Sequence, residues 1–189
     1  LDPVRYISNH STGAMGFALA KAALMKGYEV LMIAGPSQYE LQHPNFQRID
    51  VQSAEQMLSA VQAHWSEMDL GIFTAAVADY RAANVATDKI KKSATELSLD
   101  LIKNPDILAW ASANRKQQQV VGFALETNNQ EENALKKLHD KNLDFIVLNT
   151  PQVGVSGFGS ETNIITIFGA KGQKHALPLM SKYAAAQAL

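Results

Sequence analysis

The chain reads as an α/β domain built on a doubly wound, mostly parallel sheet with helices on both faces and a C-terminal hairpin. Three observations predict this. Short apolar runs alternate with helix-periodic segments along the whole length, the pattern of consecutive βαβ units. A polar loop at residues 5–16, ending on Gly13 and Gly16, opens directly into a small-apolar helix at 17–26. Near the C-terminus Gly169 and Gly172 separate two strand-like runs, which reads as a hairpin.

The elements follow in order. Residues 28–34 (YEVLMIA) form an apolar run closed by the turn signal Gly35-Pro36. Residues 46–51 make a second short strand. Ser53 is placed to cap a helix over 54–65, whose Met57, Leu58, Val61 and Trp65 recur at helical spacing. Residues 70–76 (LGIFTAA) read as a buried strand running into Asp79 and Arg81, and 97–102 as a half-exposed one. Asn104-Pro105 opens a helix with proline at its first position. Residues 120–125 are a buried strand, 129–142 a charged amphipathic helix, and 144–148 a strand ending at Asn149. The runs 164–168 and 174–177 form the hairpin, and 179–189 a closing helix. The order is Rossmann-like. Ligands of such sheets bind at the carboxyl ends of the strands, where Asp79, Arg81, Glu126, Thr127 and Asn149 would gather.

Residues 1–189 are read as a single domain, long enough for a full core. Residues 1–7 are too few to supply the strand that normally precedes a glycine-bearing turn, so a further strand is expected upstream. A net charge of −1 argues against a nucleic-acid partner. The absence of cysteine excludes disulfides and thiolate catalysis and fits a reducing cytoplasm. No apolar run reaches the roughly 18 residues of a membrane span. His10, His43, His64, His139 and His175 lack metal-ligand spacing, and neither a G-x-S-x-G elbow nor a P-loop occurs.

Four groups of residues could carry chemistry, each with two readings. Gly13 and Gly16 either bring backbone N–H groups to an anion at the helix N-terminus or pack that helix on the sheet. Lys89, Lys91 and Lys92 either close on a polyphosphate or form a solvated basic turn. Lys137 and Lys141, four apart on one helix, share a face that an anion could bridge, or simply line a surface helix. Asp79 could bind a ribose hydroxyl, a metal or a substrate group, or serve as a cap or an ion-pair partner of Arg81.

Five segments, spread in order along the chain, carry a resemblance. They are Asp2-Pro-Val-Arg-Tyr-Ile-Ser-Asn-His-Ser-Thr-Gly-Ala-Met-Gly16, Ala75-Ala-Val-Ala-Asp-Tyr-Arg81, Lys89-Ile-Lys-Lys92, Asn104-Pro-Asp-Ile107 and Gly122-Phe-Ala-Leu-Glu-Thr127. With them the chain resembles the phosphopantothenate–cysteine ligase domains of bacterial bifunctional coenzyme A biosynthesis proteins. The resemblance implies a cytoplasmic ligase that joins 4′-phosphopantothenate to cysteine, consuming CTP with Mg²⁺. It implies an acyl-cytidylate intermediate and release of pyrophosphate and then CMP. It also implies a homodimer with a shared site, and fusion in the parent protein to a flavin-dependent decarboxylase domain. Nothing here resembles that second domain, so FMN is not expected on this chain.

Carried over by position, Asn9 resembles the asparagine that holds the reacting carboxylate, and Lys89 the flap lysine that meets the triphosphate. These are the two expected catalytic residues. Arg5 resembles the arginine that reaches the substrate phosphate from a neighbouring subunit. Ala75, Ala76 and Asp79 resemble the strand end that holds the pantothenate arm, with Asp79 also at the nucleotide. Asn104, Pro105, Asp106, Ile107 and Phe123 resemble the cytosine pocket, and Lys137 and Lys141 the pair on the nucleotide. No dedicated metal ligands are identified. Ser11-Thr12-Gly13 departs from the family's usual Ser-Ser-Gly but keeps a hydroxyl. The rival readings are an NAD(P)-binding oxidoreductase and a non-catalytic nucleotide-binding module. The first lacks a full G-x-G-x-x-G loop and has no acid after the 28–34 strand before Glu40.

Overall fold

The computed structural model describes residues 1–91, 97–151 and 160–189. Lys92, the last residue of the lysine run, lies outside them. In chain order the elements are α1 (Ala14–Met25), β1 (Val30–Ala34), β2 (Phe46–Asp50), α2 (Ala54–His64), β3 (Leu70–Phe73), β4 (Tyr80–Ala82) and β5 (Leu101–Lys103). There follow α3 (Ile107–Ala113), β6 (Gln119–Leu125), α4 (Gln130–Asp140), β7 (Phe145–Asn149), β8 (Thr162–Asn163), β9 (Ile165–Gly169), β10 (Lys174–Ala176), β11 (Met180–Ser181) and α5 (Lys182–Ala188).

The main sheet has the order β10-β9-β7-β6-β3. Strands β3, β6 and β7 run parallel, while β9 and β10 join antiparallel. Strand β6 alternates between the faces. Val120 and Ala124 point into a core with Leu138, Ile146, Leu148 and Phe168, which α3 and α4 cover. Val121 points the other way, into a core with Val147, Ile165 and Ala185 that α1 and α5 close. Burial on both faces accounts for the near-continuous apolar runs of these strands.

Strands β1 and β2 form a separate parallel pair. Among the described residues β1 and β3 do not pair, yet both line one large cleft. The edge this leaves on β3 is apolar: Leu70 is 46% exposed and Ile72 38%.

The predicted elements are found, with shifted ends where local chemistry intervenes. The strand expected over 70–76 stops at Phe73, where pairing with β6 ends. Beyond it, the carbonyls of Ala76 and Ala78 are taken by the side chains of Asn9 and Asn104. The helix expected to start at Pro105 starts at Ile107, because the Asp106 side chain accepts from the Ala109 N–H and makes Asp106 the cap. The half-exposed strand over 97–102 shrinks to β5, held by a partner absent from the sequence reading, β4. The closing helix begins at Lys182, since Met180 and Ser181 pair with β8 and Ser181 then caps α5. No helix among the described residues is long and apolar enough to cross a membrane.

Candidate functional site

The cleft, about 1570 Å³, lies between the β1–β2 unit and β3, at the carboxyl ends of the strands. Its floor begins with the loop that enters α1. Gly13 adopts φ 83° at the N-cap, a left-handed conformation that favours glycine. Gly16 is tight for a different reason: a Cβ there would come within 3.1 Å of the Thr74 hydroxyl and 3.2 Å of Met32. The second glycine is therefore a packing glycine and the first a backbone one. The loop is tied across the cleft by Ser37, whose hydroxyl donates to the Thr12 carbonyl at 2.8 Å.

Asn9 donates through Nδ2 to the Ala76 carbonyl at 3.0 Å, joining the loop to the segment that follows β3. That segment is fixed at its other end by Asn104. Its N–H donates to the Asp79 carbonyl and its side-chain amide to the Ala78 carbonyl, both at 2.8 Å. The Asp79 carboxylate is exposed and has no hydrogen-bond or ion-pair partner among the described residues. Arg81 does not pair with it. Arg81 instead donates to Glu55 at 2.7 Å and to the Lys103 carbonyl at 2.6 Å. Glu55 was not singled out from the sequence; it sits in the first turn of α2, where nothing local distinguishes it from a surface acid.

The third wall is basic. Lys137 Nζ donates to the Phe123 carbonyl at 2.8 Å, and Lys141 Nζ to Asp106 Oδ2 at 2.6 Å. Burial, aided by the neighbouring Lys141 charge, pushes the Lys137 ammonium below its ordinary pKa, against the opposing pull of Glu126, Asp106 and Asp79. Burial works to raise the Asp106 carboxyl, but the Lys141 bond, the Ala109 N–H and both lysine charges outweigh it and hold it below the usual range. A partly desolvated lysine pair with one acid between them is an environment that favours an added anion.

All the residues expected at the site line this cleft except two: Asn9, Ala75, Ala76, Asp79, Asn104, Pro105, Asp106, Ile107, Phe123, Lys137 and Lys141 are brought together. Arg5 and Lys89 are not part of its lining. Arg5 is held by Asp2, and Lys89 lies in an exposed turn beside it. Asn149, expected at this edge, also lines the cleft, together with two buried polar residues that the sequence did not suggest, Asn163 and Lys182. Among the described residues no group of three or more His, Cys, Asp or Glu side chains is arranged to hold a metal ion.

Comparison with known proteins agrees with this architecture. The chain is 49% identical over 187 residues to the coenzyme A biosynthesis bifunctional protein CoaBC of Escherichia coli K12, an alignment covering 96% of this chain and 45% of that protein. It therefore spans about half the length of the curated relatives it matches. Its fold matches the crystal structure of a CoaBC C-terminal domain with TM-score 0.82 at 35% identity, over 99% of this chain and 84% of the other. It matches a Cab2 mutant in complex with phosphopantothenate-cysteine with TM-score 0.69 at 18% identity, over 93% and 74%, a likeness of fold alone. The profile of the DNA/pantothenate metabolism flavoprotein C-terminal domain matches residues 1–189, and the chain belongs to that family.

Proposed function

We propose that this domain ligates 4′-phosphopantothenate to cysteine at the expense of CTP. The observation that carries the reading is the single cleft shared by Asn9, the 75–79 segment, the 104–107 turn, Phe123 and the Lys137/Lys141 pair. In the first half-reaction a carboxylate oxygen of phosphopantothenate forms a bond to the α-phosphorus of CTP. The bond from that phosphorus to the β-phosphate oxygen breaks, and pyrophosphate leaves. In the second, the cysteine amine attacks the acyl carbon, the bond to CMP breaks, and the amine gives up a proton.

Asn9 spends one N–H on Ala76. Its other N–H remains for the oxygen that develops charge as the acyl group transfers. Lys137 and Lys141 neutralise phosphate charge, with Lys137 pre-desolvated for the task. The 104–107 turn and Phe123 receive the base. Lys89 approaches the triphosphate from outside the cleft, and the free guanidinium nitrogen of Arg5 receives the phosphate of phosphopantothenate in the dimer. Mg²⁺ fits an arrangement in which triphosphate oxygens and water supply most ligands. The unpartnered Asp79 carboxylate is the acid available beside them. The ion would offset charge on the triphosphate. FMN belongs to the fused decarboxylase domain, not to this one.

One structural feature favours a dimer. The exposed apolar side chains of Tyr6, Ile7, Val85, Leu99, Leu101 and Ile102 offer a surface for a second copy. Product analysis tests the ligase reading. With CTP, phosphopantothenate and cysteine, the full-length protein should release CMP and pyrophosphate and form the cysteine conjugate, and ATP should not replace CTP. Conjugate formation with ATP alone would overturn the nucleotide assignment. No conjugate with either would overturn the ligase.

A further inference from the structure

The N-terminal turn contains a buried carboxylate that the cleft does not use. The Asp2 side chain is fully buried. Its Oδ1 accepts from the Val4 and Arg5 N–H groups, both at 2.9 Å. Its Oδ2 accepts from Arg5 Nε at 3.0 Å, Arg5 Nη2 at 2.5 Å and the Ile90 N–H at 3.1 Å. Arg5 Nη2 also donates to the Ile90 carbonyl at 3.0 Å. Both backbone polar groups of Ile90 are thus held by one acid–base pair. These are the only hydrogen bonds to the backbone of residues 87–91 among the described residues.

A carboxylate this buried stays anionic only if its acceptor sites are filled. They are, and Arg5, foremost among its partners, holds the carboxyl well below the usual range despite burial. Arg5 meanwhile keeps Nη1 without a partner among the described residues, and 40% of its side chain is exposed. The same acid therefore orients an arginine with a free fork nitrogen and fixes the backbone next to Lys89.

We propose that Asp2 is a positioning residue that sets Arg5 and the Lys89 turn in register, so that the two cationic groups act together on the phosphates of two substrates. The proposal rests on the ligase reading for the identity of those phosphates. Without the carboxylate, Arg5 swings free, the Ile90 N–H loses its acceptor, and Lys89 is no longer held where the triphosphate arrives. Asp2→Asn is the informative change. Its amide oxygen can still serve the Val4 and Arg5 N–H groups, whereas its NH₂ cannot accept from Ile90 or Arg5.

Two measurements on the full-length protein test this. The first is amide hydrogen exchange. In Asp2→Asn, Ile90 should exchange at least about tenfold faster, the scale of a lost charge-assisted bond, while Ile146 and Val147 in the core keep their protection. The second is steady-state kinetics. KM for CTP and KM for phosphopantothenate should each rise about tenfold with a smaller change in kcat, and Asp2→Glu should restore part of the loss. Unchanged Ile90 exchange, or faster exchange at Ile90 only together with Ile146 and Val147, would overturn the tie. A rise in only one KM would overturn the coupling. If the wild type forms no conjugate, the ligase reading fails on its own account, and Ile90 exchange still decides whether Asp2 holds the turn.

Discussion

The two sides of the sheet are built differently. On one side β6 and β7 are sandwiched between helices, and Val120, Ile146 and Val147 are completely buried. On the other, β1 contributes only Ala34 to the buried set, and β3 shows Leu70 and Ile72 to the cleft. The closed side places few of the reactive groups but determines whether there is a fold at all. The open side carries the α1 loop, the 75–79 segment and the turn at Lys89, held by a few side-chain bonds from Asn9, Ser37, Asn104, Asp2 and Arg5. Stability and chemistry are thereby separated in space, and substitutions should respect the separation.

The largest effect is expected in the closed side. Leu138, 1% exposed, packs with Ile146 and Phe168. Leu138→Ala should cost about 2–5 kcal/mol, read as a lower denaturant midpoint, while the activity of the protein that remains folded is little altered. A comparable fall in kcat of the folded fraction would break the separation. Lys89→Gln should do the reverse. Lys89 is exposed and makes no bond among the described residues, so stability should stay within about 0.5 kcal/mol. Pyrophosphate release should slow roughly a hundredfold, and an unchanged rate would remove Lys89 from the reaction.

Asp106 sits on the seam and should show both effects at smaller size. Asp106→Ala removes the α3 cap, worth about 1 kcal/mol. It also frees Lys141, whose partly exposed ion pair adds little. Asp106→Asn can keep the cap and should leave only a change in nucleotide affinity. The smallest effect is one of pH. The folded Asp2 carboxyl lies below its unfolded value of 3.8, through Arg5 above all. Its contribution is therefore complete above that value and is lost as pH falls through the folded one. The stability difference between wild type and Asp2→Asn should be constant from pH 7 to about pH 5 and shrink only below about pH 4. A difference that shrinks near neutrality would contradict the pairing.

The closed side was legible because double burial writes itself into continuous apolar runs such as 120–125, and the glycine and proline signals mark their ends. The open side was legible only in part. Asn9 and Asp79 stood out as polar groups next to apolar elements. Strand β4 did not, because three residues are too short to show a period, and its partner β5 lies about twenty positions away. Asp2 entered the sequence reading only as the first residue of the 2–16 segment, with no role of its own. What distinguishes it is contact with Ile90, 88 positions on, and no local pattern encodes that separation. Arg81 was visible, but the ion pair weighed for it was with Asp79, one of two readings of that acid, and its partner is Glu55, supplied by α2 across the cleft.

The central claim is that Asn9, bridging to Ala76, serves the acyl transfer more than the first displacement. The direct measurement is the ratio of pyrophosphate to CMP released by Asn9→Ala with CTP, phosphopantothenate and cysteine. Pyrophosphate released in excess of CMP, with no conjugate formed, is the predicted result. Equal loss of both products would contradict it and place Asn9 in the first step or in the fold.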